Sequence, residues 1–283
     1  VVRMGCYNTT GAAWFDDLSF IDDETGEDLL QNGGLEKNDE VLNHGTDSLA
    51  YYLKILKDAE ENNIAVSFLI SPHYFPSNIE KLYPDLKRGY HFYNVNDPRV
   101  RAVYEEYIRA LIPAIKDYKS LNNIVLSNEA EFHITDYYEA YADSWHEYLK
   151  HEYNNDINYL NRAYRTDYKS FDEIDMLYSM SDIAKYNDCQ NFTTQEFSRW
   201  HRWMYDLIKE LAPDIPINTK NMGYVKDSYY AGLLNKGMNA QDLAEFLDVN
   251  GCDMDNYLTR HPEPLNKEFW YEYLIGIKEA PVF

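Results

Sequence analysis

The tetrapeptide Ser127-Asn128-Glu129-Ala130 directly follows the apolar run Ile124-Val125-Leu126, so a carboxyl group stands where a buried strand ends. In a barrel of alternating strands and helices, that edge is where active sites are built. A lone strand-final Glu can equally pair with a neighbouring Arg or Lys. Two further clusters strengthen the chemical reading. Ser71-Pro72-His73-Tyr74-Phe75-Pro76 ends a second apolar run, and Asp253, Asp255, Asn256 and Tyr257 form a third polar group. Glu129 is the candidate acid or base. His73 and Tyr74 are placed to hydrogen-bond a substrate or to orient Glu129, with a packed loop histidine as the alternative.

The elements that must position these residues can be read from spacing. Leu49, Tyr52, Leu53, Leu56 and Ala59 recur at helical intervals, and Asn62-Asn63 closes that helix. Ile64 to Ile70 is a continuous apolar strand, as expected where both faces are covered. Asp97 caps the next helix with Pro98 at its first position, and Val100, Val103, Tyr104, Tyr107, Ile108, Leu111, Ile112 and Ile115 trace one apolar face. After the Glu129 loop a helix is expected over 143–153, followed by a segment around 164–188 with no strong period. Thr194 opens another helix with Phe197, Trp200, Met204, Leu207, Ile208 and Leu211 inward. Short strands follow at 215–219 and 247–250, then a helix over 264–278 and a strand from Pro281.

Such alternation predicts an α/β architecture with a parallel sheet. A doubly wound sheet is the rival to a barrel, but neither a Gly-x-Gly-x-x-Gly nor a Gly-Lys-Ser/Thr loop occurs. The expected fold is a (β/α)8 TIM-type barrel over residues 49–283, incomplete in this chain. No first strand is identifiable between Glu36 and Leu49, and the eighth is absent. Residues 1–36 read as strand, turn and strand, the tail of a β-sandwich, and 37–48 as a polar linker.

Composition narrows the partners. With 48 acidic against 26 basic residues the net charge is −22, so the surface repels nucleic acid and anionic lipid, whereas neutral sugars are compatible. No run approaches the ~18 apolar residues of a membrane helix, which argues against membrane insertion. Cys6, Cys189 and Cys252 are far apart, give no metal spacing and allow at most one disulfide. Aromatic residues make up 16% of the chain; most are expected in packing, Trp200 and Trp203 among them.

The order and spacing of several segments carry a family resemblance. They are Ile64 to Glu129; Tyr159-Leu160-Asn161-Arg162-Ala163-Tyr164 with Ser170-Phe171-Asp172-Glu173-Ile174; Asp214 to Gly223; and Asp248-Val249-Asn250 with Asp255-Asn256-Tyr257. Together they resemble the clan-A retaining glycoside hydrolases, most closely the β-galactosidases of family 42. Upstream, Trp14-Phe15-Asp16-Asp17-Leu18-Ser19 and Gly26 to Glu36 resemble the last strands of a jelly-roll carbohydrate-binding module.

The resemblance implies a retaining hydrolase of β-linked, galactoside-type oligo- or polysaccharides, located extracellularly or in the periplasm. It makes Glu129 the general acid/base and Asn128 a partner of the sugar 2-hydroxyl, capping of the loop backbone being the alternative for Asn128. His73, Tyr74, Asn221, Asp255, Asn256 and Tyr257 become substrate contacts. Retention requires a second carboxylate about 5 Å away. In the family that nucleophile ends the seventh strand, so it is expected beyond residue 283; Glu279 precedes that strand and Glu272 lies in the helix before it. A raised pKa at Glu129 would put the pH optimum on the acid side of neutral. No cofactor is implied, and His73 and His133 lack metal-ligand spacing. The competing readings are a non-catalytic carbohydrate-binding or scaffolding protein on the same barrel, and an unrelated α/β enzyme. A homo-oligomer is left open.

Overall fold

The computed structural model describes residues 48–70, 83–86, 94–176, 181–222, 237–253 and 265–282. The chain divides into two compact units, residues 1–52 and 53–283. The sandwich-like tail at 1–36 and all but the last residue of the 37–48 linker lie outside the described residues.

Within the second unit, four strands form one sheet: β1 (Val66–Leu69), β2 (Leu121–Asn128), β3 (Ile217–Met222) and β4 (Cys252–Asp253), in spatial order β1-β2-β3-β4. All pairs are parallel, and Asn250 makes a further parallel bridge to Val282. The strands therefore sit side by side in chain order. A doubly wound sheet must reverse that order at a switch point, whereas a barrel never does. The architecture is that of an α/β barrel wall, as the sequence predicts.

Helices connect the strands: α1 (Ser48–Glu61), α2 (Pro98–Ile115), α3 (Tyr138–Glu152), α4 (Ile157–Tyr164), α5 (Ile183–Leu211), α6 (Ala240–Ala244) and α7 (Leu265–Ile277). The start of α2 follows from its sequence. The Asp97 side chain accepts from the Arg99 backbone N–H at 2.9 Å, and Pro98 occupies a position whose N–H would have had no helical partner. Its buried face is Val100, Tyr104, Ile108, Leu111, Ile112 and Ile115, while Tyr107 falls off the stripe and is 38% exposed. That face meets α5, where Trp200 sets its ring edge-on to Tyr104 at 5.5 Å. Trp200 is buried and Trp203 stacks on it at 5.0 Å.

Several boundaries differ from expectation: β1 spans 66–69 rather than 64–70, and β3 spans 217–222 rather than 215–219. Helix α5 begins at Ile183 rather than Thr194, because its first half buries polar groups that erase the apolar period: Lys185, Gln190, Thr193 and Glu196. Helix α3 begins at Tyr138, five residues ahead of the expected start at Asp143. The strand expected at 247–250 is displaced, and the ladder to β3 forms at Cys252 and Asp253. Gly251 allows this approach, since a Cβ there would collide with the Thr219 carbonyl.

Candidate active site

The carboxyl ends of β2, β3 and β4 form one rim. Asn128 is the register partner of Lys220, and Asn221 and Met222 are the partners of Cys252 and Asp253. Glu129 therefore leaves β2 at that rim, beside the end of β3. Its backbone N–H donates to the Lys220 carbonyl at 2.8 Å, and its side chain is partly buried.

The strand below the rim has two chemically different sides. Ile124 and Leu126 belong to the core cluster shared with the helices. Asn123 belongs to a polar ladder across the sheet, accepting from Ser67 Oγ at 2.6 Å and donating to Asn218 Oδ1 at 2.8 Å. Asn218 Nδ2 is buried without a hydrogen-bond partner among the described residues.

Alternation alone would put Ser127 on the ladder side with Asn123 and Val125. Instead Ser127 Oγ lies 2.8 Å from Nε2 of His201, on α5. The cause is local: the β2–β3 register slips between Val125 and Asn128, so three steps on β2 match two on β3. Such bulges re-aim side chains and are common beside active sites. Immediately after it, Glu129 has φ +47°, a left-handed conformation that L side chains seldom adopt.

His201 is fully buried, and its Nδ1–H donates to the Phe197 carbonyl at 2.9 Å, which leaves Nε2 to accept from the Ser127 hydroxyl. Burial pushes the imidazole pKa down to about 4, the Phe197 bond opposing this only in part, so the ring is neutral near pH 7. On the other side of Glu129, Phe132 stacks on Phe197 at 5.4 Å and is fully buried. Glu131 and His133 follow at the rim, Oε2 and Nε2 3.4 Å apart.

Of the residues expected at the site, Asn128 and Glu129 stand together at the rim. Asn221 does not follow β3 but lies inside it; it is buried, and its Oδ1 accepts from Thr219 Oγ1 at 3.0 Å. His73, Tyr74, Asp255, Asn256 and Tyr257 lie outside the described residues. Among the described residues no group of His, Cys, Asp and Glu is arranged to hold a metal, no helix is long and apolar enough to cross a membrane, and the buried Cys189 and Cys252 form no disulfide. Sequence reasoning passed over His201 and Phe197 as site-supporting residues. Apolar periodicity marks Phe197 only as an inward helix position and does not pick out His201, four residues on.

The family profile of glycoside hydrolase family 42, described as beta-galactosidase, matches residues 76–275, well over half of the chain. Beta-galactosidase Pbg of Clostridium perfringens is 30% identical over 173 residues, 57% of this chain and 24% of that protein. Among solved structures, Gan42B, a family 42 β-galactosidase from G. stearothermophilus, matches with a TM-score of 0.71 at 21% identity, over 85% of this chain and 38% of that one. The apo family 42 exo-carrageenase of Bacteroides ovatus matches with a TM-score of 0.62 at 17% identity, over 81% and 35%. These likenesses show the barrel fold. The chain spans about a quarter of the curated relative and little more than a third of either structure.

Proposed function

The chain belongs to glycoside hydrolase family 42, and from that premise we propose that the protein hydrolyses β-linked, galactoside-type oligo- or polysaccharides with retention, Glu129 acting as general acid/base. The observation that carries the reading is the position of Glu129: a partly buried residue at the carboxyl end of β2, beside Asn128 and the ends of β3 and β4. Chemistry on this fold is built at that rim.

In the first half of the reaction Glu129 gives its proton to the glycosidic oxygen as the aglycone leaves. In the second it takes a proton from the water that releases the sugar. Asn128 holds the 2-hydroxyl, where a hydrogen bond gains strength as positive charge develops on the ring. The nucleophilic carboxylate is assigned to the strand that Val282 enters. Val282 pairs in parallel with Asn250, and in this reading the nucleophile follows beyond residue 283. His73, Tyr74, Asp255, Asn256 and Tyr257 complete the sugar contacts in this reading. Relatives named β-galactosidase and exo-carrageenase are in keeping with a galactoside-type substrate. An extracellular or periplasmic location and a carbohydrate-binding tail at 1–36 belong to the same proposal.

The test is hydrolysis of aryl β-galactosides by the full-length protein and by Glu129→Gln. Loss of a general acid costs about 10²- to 10⁴-fold in kcat, and the loss is expected to be greatest with poor leaving groups. Equal rates would remove Glu129 from the mechanism. No turnover by either protein, with galactosides still bound, would favour a carbohydrate-binding role.

A further inference from the structure

We propose that His201 and Phe197, one turn apart on α5, form a cradle that holds the Glu129 carboxyl in its working orientation, making His201 and Ser127 positioning residues for the reaction. The inference rests on Glu129 being the acid/base.

Glu129 sits between two anchors. Ser127, two residues before it, donates to His201; Phe132, three residues after it, stacks on Phe197. The two α5 side chains also hold each other, with rings edge-to-face at 4.6 Å and the His201 Nδ1–H bonded to the Phe197 carbonyl. Both anchors are buried, and the restraints on the intervening peptide include the bond from Glu129 N–H to the Lys220 carbonyl. Gly237, at φ +75°, closes against Phe132 from outside, where a Cβ would stand 2.8 Å from the Phe132 carbonyl.

The arrangement exceeds what packing alone asks of this helix. An apolar residue at 201 would fill the same volume, yet a histidine with both ring nitrogens satisfied is buried there. Its acceptor meets the hydroxyl that the β2 bulge turns toward α5. A left-handed residue next to a bulge is a high-energy backbone that persists only where its surroundings over-determine it. The Ser127–His201 bond is one such determinant on the amino-terminal side.

The experiment compares Ser127→Ala, Ser127→Thr and His201→Phe in the full-length protein by kinetics, melting temperature and crystal structure. A misplacement of about 1 Å can cost on the order of 100-fold in rate. Ser127→Ala is therefore expected to lower kcat by 10-fold or more, most with poor leaving groups, with KM changing less than about twofold. Its crystal structure is expected to show Glu129 moved out of the left-handed region. Ser127→Thr keeps the hydroxyl and restores both readouts.

An unchanged φ at Glu129 in Ser127→Ala and in His201→Phe overturns the proposal. So does a kcat loss that is equal for all leaving groups and follows the fall in melting temperature. The crystallographic readout decides the cradle even if Glu129→Gln proves fully active, so failure of the functional reading and failure of the cradle are separately visible.

Discussion

The two halves of α5 do different work. From Phe197 onward the buried side chains are Trp200, Met204, Leu207 and Ile208, with His201 the exception, and they pack against the strand wall and α2. Before it the buried residues include Lys185, Cys189, Gln190, Thr193, Thr194 and Glu196. Twenty-nine residues make a helix about 43 Å long. With His201 level with Ser127 near the rim, the first half extends past the strand ends. There it meets α3 and α4: Phe192 packs on Trp145 and Tyr148, while Tyr153 and Tyr164 both donate to Asp188 Oδ2, at 2.6 and 2.7 Å. The same helix is thus a wall element below the rim and the spine of a polar superstructure above it. Continuous secondary structure is no guide to a single kind of core.

This contrast can be broken at three points. Trp200→Ala is expected to cost the most, about 3–5 kcal/mol, because it empties a fully buried site shared by Tyr104, Trp203 and the Arg101 guanidinium. Denaturant unfolding measures it. A loss below 1 kcal/mol would mean that the lower half is not the rigid one.

Next comes the polar exception in the lower half. The folded state keeps His201 neutral, with its pKa near 4 against an ordinary 6.5, so between those values the unfolded chain binds more protons. Stability from this group is complete above pH ~6.5 and is lost as the pH falls toward 4, by on the order of 3 kcal/mol. Unfolding midpoints measured across that window should decline in the natural protein and decline less in His201→Phe. Parallel curves would show that the imidazole is not desolvated as described.

The smallest effect belongs to the upper half. Glu196 is buried; its Oε2 accepts from Asn96 at 2.9 Å and its Oε1 from the half-exposed Arg199 at 2.6 Å. Glu196→Gln keeps the shape and one acceptor, so about 1–2 kcal/mol is expected, and a larger loss would make the upper half the more brittle of the two.

What could be read from residues alone follows the same division. The Asp97-Pro98 start and apolar stripe of α2 are local, and the structure matches them apart from the partly buried Val103 and the exposed Tyr107. The lower half of α5 is legible for the same reason. Its upper half is not, because each buried polar group is matched by something distant or backbone-borne: Lys185 by Asp175 at 2.7 Å, Thr193 by the Cys189 carbonyl, Glu196 by Asn96 one hundred residues away. An apolar run ending in Asn-Glu sufficed to put Glu129 at the carboxyl end of a strand. The partnership of Ser127 with His201 spans 74 residues and depends on a register slip that no spacing encodes. Asn221 was assigned to a loop because β3 looked finished at Thr219, and only its pairing with Cys252 carries the strand further.

The φ of +47° at Glu129 has one more consequence. A left-handed backbone costs an L residue with a Cβ roughly 1–2 kcal/mol that glycine does not bear. Position 129 therefore ranks high for replacement by any scheme that scores residues by conformational preference alone. Its first choice for hardening the scaffold would delete the group on which turnover is proposed to depend. Under that proposal, durability and reactivity compete over one torsion angle.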